Sequence, residues 1–248
     1  MNTKTHNRNI TKFVTKIFVI IIMIVEFSKG DTDMEKAMKI NPYDIIQEIN
    51  LVRQFPAAYS QIIKRDYLNT EWQGQEAKKK SAISIYNALI ELPQKLPLKP
   101  NEKLSEIGYK HALHMASTNE LTHEGKNGSN LYTRLNSHGH WYEGAHELLG
   151  FWRNDTNNFS AEEIVREWLI DDGHNSRKHR LGMLEDYRGR IGVGIAVTNT
   201  HTWVCVLIVV RFDCTVNCNF QTKKQRDTAK YGDYWLDKSL ADYKKTFN

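Results

Sequence analysis

The 248-residue chain has only three cysteines, Cys205, Cys214 and Cys218, all in its last fifth. No disulfide framework can therefore staple the rest of the chain, and no second Cys/His pair follows at the spacing of a zinc knuckle. In an oxidising compartment Cys214 and Cys218 close a short loop and leave Cys205 unpaired in an apolar strand, or Cys205 bridges to either of them. Long hydrophobic runs are missing too: Ile17 to Val25 falls well short of the roughly 20 residues that span a bilayer. There is no Gly-x-Ser-x-Gly elbow for a serine nucleophile. The fragment His146-Glu147-Leu148-Leu149-Gly150 has glycine where a zincin needs its second histidine. Internal repeats are absent.

What is present begins with Lys4, Arg8, Lys12 and Lys16 ahead of that apolar run, then Ser28-Lys29-Gly30. This is the pattern of a secretory signal peptide over residues 1–30, cut near Gly30/Asp31. The segment holds five of the 34 Lys/Arg and one of the 29 Asp/Glu, so without it 29 basic residues face 28 acidic ones and the charge falls from +5 to +1. The remaining charges are interleaved, which argues against a nucleic-acid groove. An exported chain would expose acceptor sequons at Asn127, Asn154 and Asn158; Asn154 and Asn158, in a polar stretch, are the expected glycosylation sites.

Asn41-Pro42 reads as a helix start, with Ile45, Ile46, Ile49 and Val52 on one face. Helices are expected over 57–67 and 83–92, separated by a charged loop that includes Lys78-Lys79-Lys80, and Pro93, Pro97 and Pro100 then break the chain. Asn101 caps a helix with Leu104, Ile107, His111 and His114 on one face. Ser160-Ala161-Glu162-Glu163 is a capping box ahead of Ile164, Val165, Trp168 and Leu169. The β-branched runs 191–197 and 203–212 predict a hairpin, the second strand apolar on both faces and hence covered on both sides. His138, His140 and His201 read as loop residues. Helices before and strands within one unit predict an α+β fold, an α-β-α sandwich. Residues 214–248 read as a hydrophilic tail with scattered aromatics.

Near the ends of elements stand His123, Glu147, Asp171 and His179. Two imidazoles and two carboxylates are groups that a cation such as zinc accepts. The stretches Tyr109 to Ala116 running to Thr122-His123, Gly144-Ala145-His146-Glu147, Glu167 to Gly173, His179 to Leu184 and Ile191-Gly192-Val193-Gly194 follow one another in a familiar order. In that order they resemble the CAP superfamily, the cysteine-rich secretory proteins, insect venom antigens and plant pathogenesis-related proteins that share the SCP domain. The resemblance covers residues 41–213, with an insertion at about 69–98, and is closest to the cysteine-poor branch. It implies a CAP-type sandwich around a mixed, mainly antiparallel sheet. It also implies a cleft tetrad of His123, Glu147, Asp171 and His179, in which His123 and His179 hold a divalent cation such as zinc. Asp171 stands where the family usually has Glu, so Asp172 or Glu167 is an alternative; His179 is preferred to His174. Leu148 follows Glu147 where the family commonly has Asn. By resemblance the protein is a secreted binding module for sterol, fatty acid or another protein, with no catalytic residue assigned. A metal-assisted peptidase using Glu147 as base, and a surface-interaction protein with a vestigial cleft, are the alternative readings.

Overall fold

A computed structural model describes residues 40–69, 75–154, 160–171, 177–185 and 189–214. The expected signal peptide, Asn158, His174, Asp172, Cys218 and the tail from residue 215 lie outside these.

Helix α1 (Pro42–Gln54) starts as its sequence predicts, with Asn41 Oδ1 accepting from the Tyr43 amide at 3.0 Å and Pro42 in the first turn. Its stripe of Ile45, Ile46, Ile49 and Val52 is buried. Helix α2 (Pro56–Ile63) runs on into a π-helical turn over Lys64–Leu68. Helix α3 (Glu76–Glu91) begins well before the expected residue 83, so Lys78, Lys79 and Lys80 are helical rather than a loop. The reason is amphipathic: Ser81, Ala82, Ile85 and Leu89 form a buried stripe, and Lys78 sits over the Tyr67 ring at 5.7 Å. Residues 69–98, expected as an insertion, thus supply a helix to the core itself.

The chain then runs extended, held by buried polar side chains on α1. Asn50 donates to the Leu98 carbonyl at 3.0 Å and accepts from its amide at 2.8 Å. Fully buried Arg53 donates to the carbonyls of Leu96, Met183 and Glu185. Strand β1 (Lys99–Pro100) leads into α4 (Glu102–Thr118), capped by Asn101, and then comes the short α5 (Leu131–Asn136). Strand β2 (Gly139–Arg153), α6 (Ala161–Ile170), α7 (Lys178–Leu184), β3 (Arg190–Val197) and β4 (His201–Cys214) complete the order. At α6 only half of the capping box forms: Ser160 accepts from the Glu163 amide at 3.2 Å, while the Glu163 carboxylate pairs with Arg166.

The sheet order is β1-β3-β4-β2, parallel between β1 and β3 and antiparallel elsewhere. The expected hairpin is β3–β4. Strand β2 was not expected, and with it His140 falls in a strand and His201 opens another, not in loops. In β4, Val204, Val206 and Ile208 face a core built with α1, α2, α3, α6 and α7, whereas Cys205, Leu207 and Val209 face α4 and α5. This is the two-sided covering that the strand's pattern predicts. Helix α4 lies directly on β3: a Cβ on Gly192 would overlap the backbone of Leu104 and Ser105, and one on Gly194 that of Gly108 and Tyr109. The alternating glycines let a helix backbone touch a strand.

Candidate functional site

Helix α4 ends at Asn119, which takes the left-handed conformation at φ 53. The chain then loops back through His123, and Gly125 pairs with Ser129, its amide donating to the Ser129 carbonyl at 2.7 Å. The His123 ring is 69% exposed, yet its Nδ1 lies 2.8 Å from Oε1 of Glu147, whose side chain is 2% exposed. Glu147 reaches there from β2, on the face toward α4 and α5.

A carboxylate this deep must be compensated. The Arg134 guanidinium, on α5, pairs with Oε2 of Glu147. The buried His111 imidazole lies 3.9 Å from the same oxygen, and the Cys205 thiol 3.7 Å from it. Burial pushes the Glu147 carboxyl up, but the His123 hydrogen bond and the Arg134 charge outweigh it and hold the group below its ordinary value. Burial depresses His111 more than the Glu147 charge raises it. The His111 ring is neutral: Nε2 donates to the Thr122 carbonyl at 2.9 Å, which leaves Nδ1 as the acceptor. Cys205 is a free, fully buried thiol whose pKa burial raises, so it is inert.

The second pair is built locally. Asp171 is the C-cap of α6, left-handed at φ 49, its amide donating to the Glu167 carbonyl at 2.9 Å. Its Oδ1 lies 2.9 Å from Nδ1 of His179, in the first turn of α7. The competing acid Glu167 is used elsewhere, accepting from Trp152 Nε1 at 2.9 Å. Trp168 stands between this pair and the outer strand: its ring is 6.2 Å from that of His179, and its Nε1 donates to the Leu149 carbonyl of β2 at 3.3 Å. The four expected residues therefore form two histidine–carboxylate pairs that flank β2 from the two helical layers. Among the described residues no group of three or more His, Cys, Asp and Glu side chains comes together as a ligand set.

Three residues at the site were not read from the sequence: Arg134, His111 as a neighbour of Glu147, and Cys205. Arg134 sits on a short helix with no motif around it, and no sequence spacing links it to residue 147. The fragment His146-Glu147 is a strand pair with opposite faces; His146 turns toward α7 and meets Glu185 at 3.0 Å. Asn154, one of the two expected glycosylation sites, lies in a packed position. It is 9% exposed, its Nδ2 donates to the Thr198 carbonyl at 2.7 Å and its Oδ1 accepts from buried Thr202 at 2.9 Å. A glycan on that nitrogen would have to be admitted at a side chain packed between Thr198 and Thr202.

Residues 85–207, from the middle of α3 into β4, match the family model described as CAP, the cysteine-rich secretory protein family. Two solved structures are similar to the chain. An extracellular protein containing an SCP domain from Bacillus anthracis str. Ames aligns at 17% identity and TM-score 0.35 over 55% of this chain and 40% of its own, so the chain spans about two fifths of that protein. An outer surface protein from Borrelia burgdorferi aligns at 18% identity and TM-score 0.39, over 55% of this chain and 94% of its own. No curated protein matches the chain. With the family's ordered stretches on the elements that carry both histidine–carboxylate pairs, the chain belongs to the CAP superfamily.

Proposed function

We propose that the protein is a secreted CAP-domain binding module whose cleft takes a divalent cation such as zinc through Nε2 of His123 and of His179. The observation that supports this most is the carboxylate at each Nδ1, Glu147 at 2.8 Å and Asp171 at 2.9 Å. Such an acid keeps the proton on Nδ1, aims the ring and places the lone pair on Nε2, as metal-binding histidines require. In such a site the two imidazoles would be the ligands, with Glu147, both of whose oxygens are already engaged, orienting His123 and Asp171 orienting His179. A bound zinc would supply a Lewis acid with positions left for water or a ligand.

The same geometry weighs against a peptidase in which Glu147 activates water. Its carboxylate is buried, paired to Arg134 and held ionised in a salt bridge, which makes it a poor base. Export rests on the N-terminal basic and apolar pattern, and uptake of sterol or fatty acid rests on the family resemblance. Calorimetric titration with zinc tests the cation site. Saturable binding is expected for the wild type, and loss of it in the double variant His123→Ala, His179→Ala. Equal affinity in the two proteins would remove the site.

A further inference from the structure

The His123 ring has a single hydrogen bond among the described residues, to Glu147, and is otherwise open to solvent. An exposed imidazole on a loop keeps one orientation only if the backbone beneath it is held. Two successive carbonyls are held: that of Thr122 accepts from His111 Nε2 at 2.9 Å, and that of His123 accepts from Arg134 Nη1 at 3.2 Å. The same Arg134 nitrogen donates to the Ser129 carbonyl at 2.7 Å, gripping the far side of the loop, while Nη2 pairs with Glu147 Oε2. The bonds close a ring: Arg134 to the His123 carbonyl, through residue 123 to its Nδ1, on to Glu147 and back to Arg134.

Gly125 makes room for this clamp. A Cβ there would stand 2.9 Å from Arg134 Nη1 and 2.7 Å from the Ser129 hydroxyl, though its backbone, at φ −98, accepts any residue. The requirement is therefore space for the guanidinium and for the Ser129 hydroxyl beside it.

We propose that Arg134, seated against Gly125 and seconded by His111, is the positioning residue that fixes the pose and tautomer of His123. The inference rests on the cation reading only for its consequence in affinity; the tautomer is a property of the metal-free protein. A planar fork is needed to serve two carbonyls and a carboxylate at once, and lysine, a single point of charge, cannot replace it.

Long-range proton–nitrogen correlation spectra of the imidazoles, recorded on the metal-free protein, test this directly. In the wild type His123 is expected almost wholly as the Nδ1–H form. In Arg134→Lys the population should move toward the Nε2–H form that free imidazole prefers, and zinc affinity should fall roughly ten- to a hundredfold, the range seen when outer-shell partners are lost. Gly125→Ala should do the same by displacing the guanidinium, and it carries the test if Arg134→Lys fails to fold. Arg166→Ala removes an ion-pair cluster with Asp66 and Glu163 away from the loop, and should change neither readout. An unchanged His123 tautomer in a folded Arg134→Lys or Gly125→Ala protein overturns the proposal. Absence of zinc binding in the wild type would instead overturn the cation reading and leave the tautomer to decide this one.

Discussion

The two histidine–carboxylate pairs have nearly the same hydrogen-bond length, 2.8 and 2.9 Å, but differ in construction. In the first, the partners are 24 residues apart, the imidazole is exposed, and the acid is buried among Arg134, His111 and Cys205. In the second they are eight apart, the acid, equally buried, caps a helix, and the imidazole is 19% exposed beside Trp168. The first acid lies at the centre of a tertiary network. The second is part of a local turn. Removing each acid should therefore cost very different amounts, although both orient one imidazole.

The largest effect belongs to Glu147→Gln, which leaves the Arg134 guanidinium, only 10% exposed, without its counter-charge. Breaking a buried pair from one side costs about 3–5 kcal/mol. Urea unfolding should show it as a lower midpoint with little change in slope. Asp171→Asn should lose about 1 kcal/mol, the worth of one hydrogen bond. Equal losses at residues 147 and 171 in the same assay would erase the distinction.

The smallest effects are in pH dependence. The folded Glu147 titrates below its ordinary 4.5, so its contribution is complete above that pH and is lost as pH falls through the lower folded value. Buried His111 adds to the loss on the same side, since it resists a proton that the unfolded chain takes up below about pH 6.5. Glu48 has the opposite sign. Burial lifts it to about 7, against the hydrogen bond from Tyr59 at 2.5 Å. The folded protein then holds a proton that the unfolded chain releases, and stability declines as pH rises from 4.5 to 7 and levels beyond. Melting temperature against pH should fall less steeply toward acid in Glu147→Gln, and in Glu48→Gln should lose the decline with rising pH that Glu48 contributes between pH 4.5 and 7. A pH profile that neither substitution alters relative to the wild type would contradict both assignments.

Much of the sandwich was legible because its signals are local. Asn41-Pro42 and Asn101 cap helices through atoms two or three residues away, and the stripes behind them repeat within each helix. The two-sided apolar run of β4 reports its burial by composition alone. Strand β2 was not legible: Gly139, Gly144 and Gly150, the histidines and glutamates among them and a bulge between Tyr142 and Ala145 blur its alternation. Asn154 looked like an exposed acceptor because its neighbours are polar, and nothing nearby foretells Thr202 closing over it.

The sequence by itself singled out two histidines and two acids as candidates and determined most of the helices and the hairpin that bear them, because caps, periodicity and glycine alternation act within a turn or across a single strand. Only the tertiary structure decided how those residues are used. It divided the four into two pairs, chose Asp171 over Glu167 by giving Glu167 to Trp152, and brought Arg134 under His123. The reason is physical: a buried carboxylate must be met by whatever donors packing brings to it, and that supply depends on distances across the fold that no local pattern encodes.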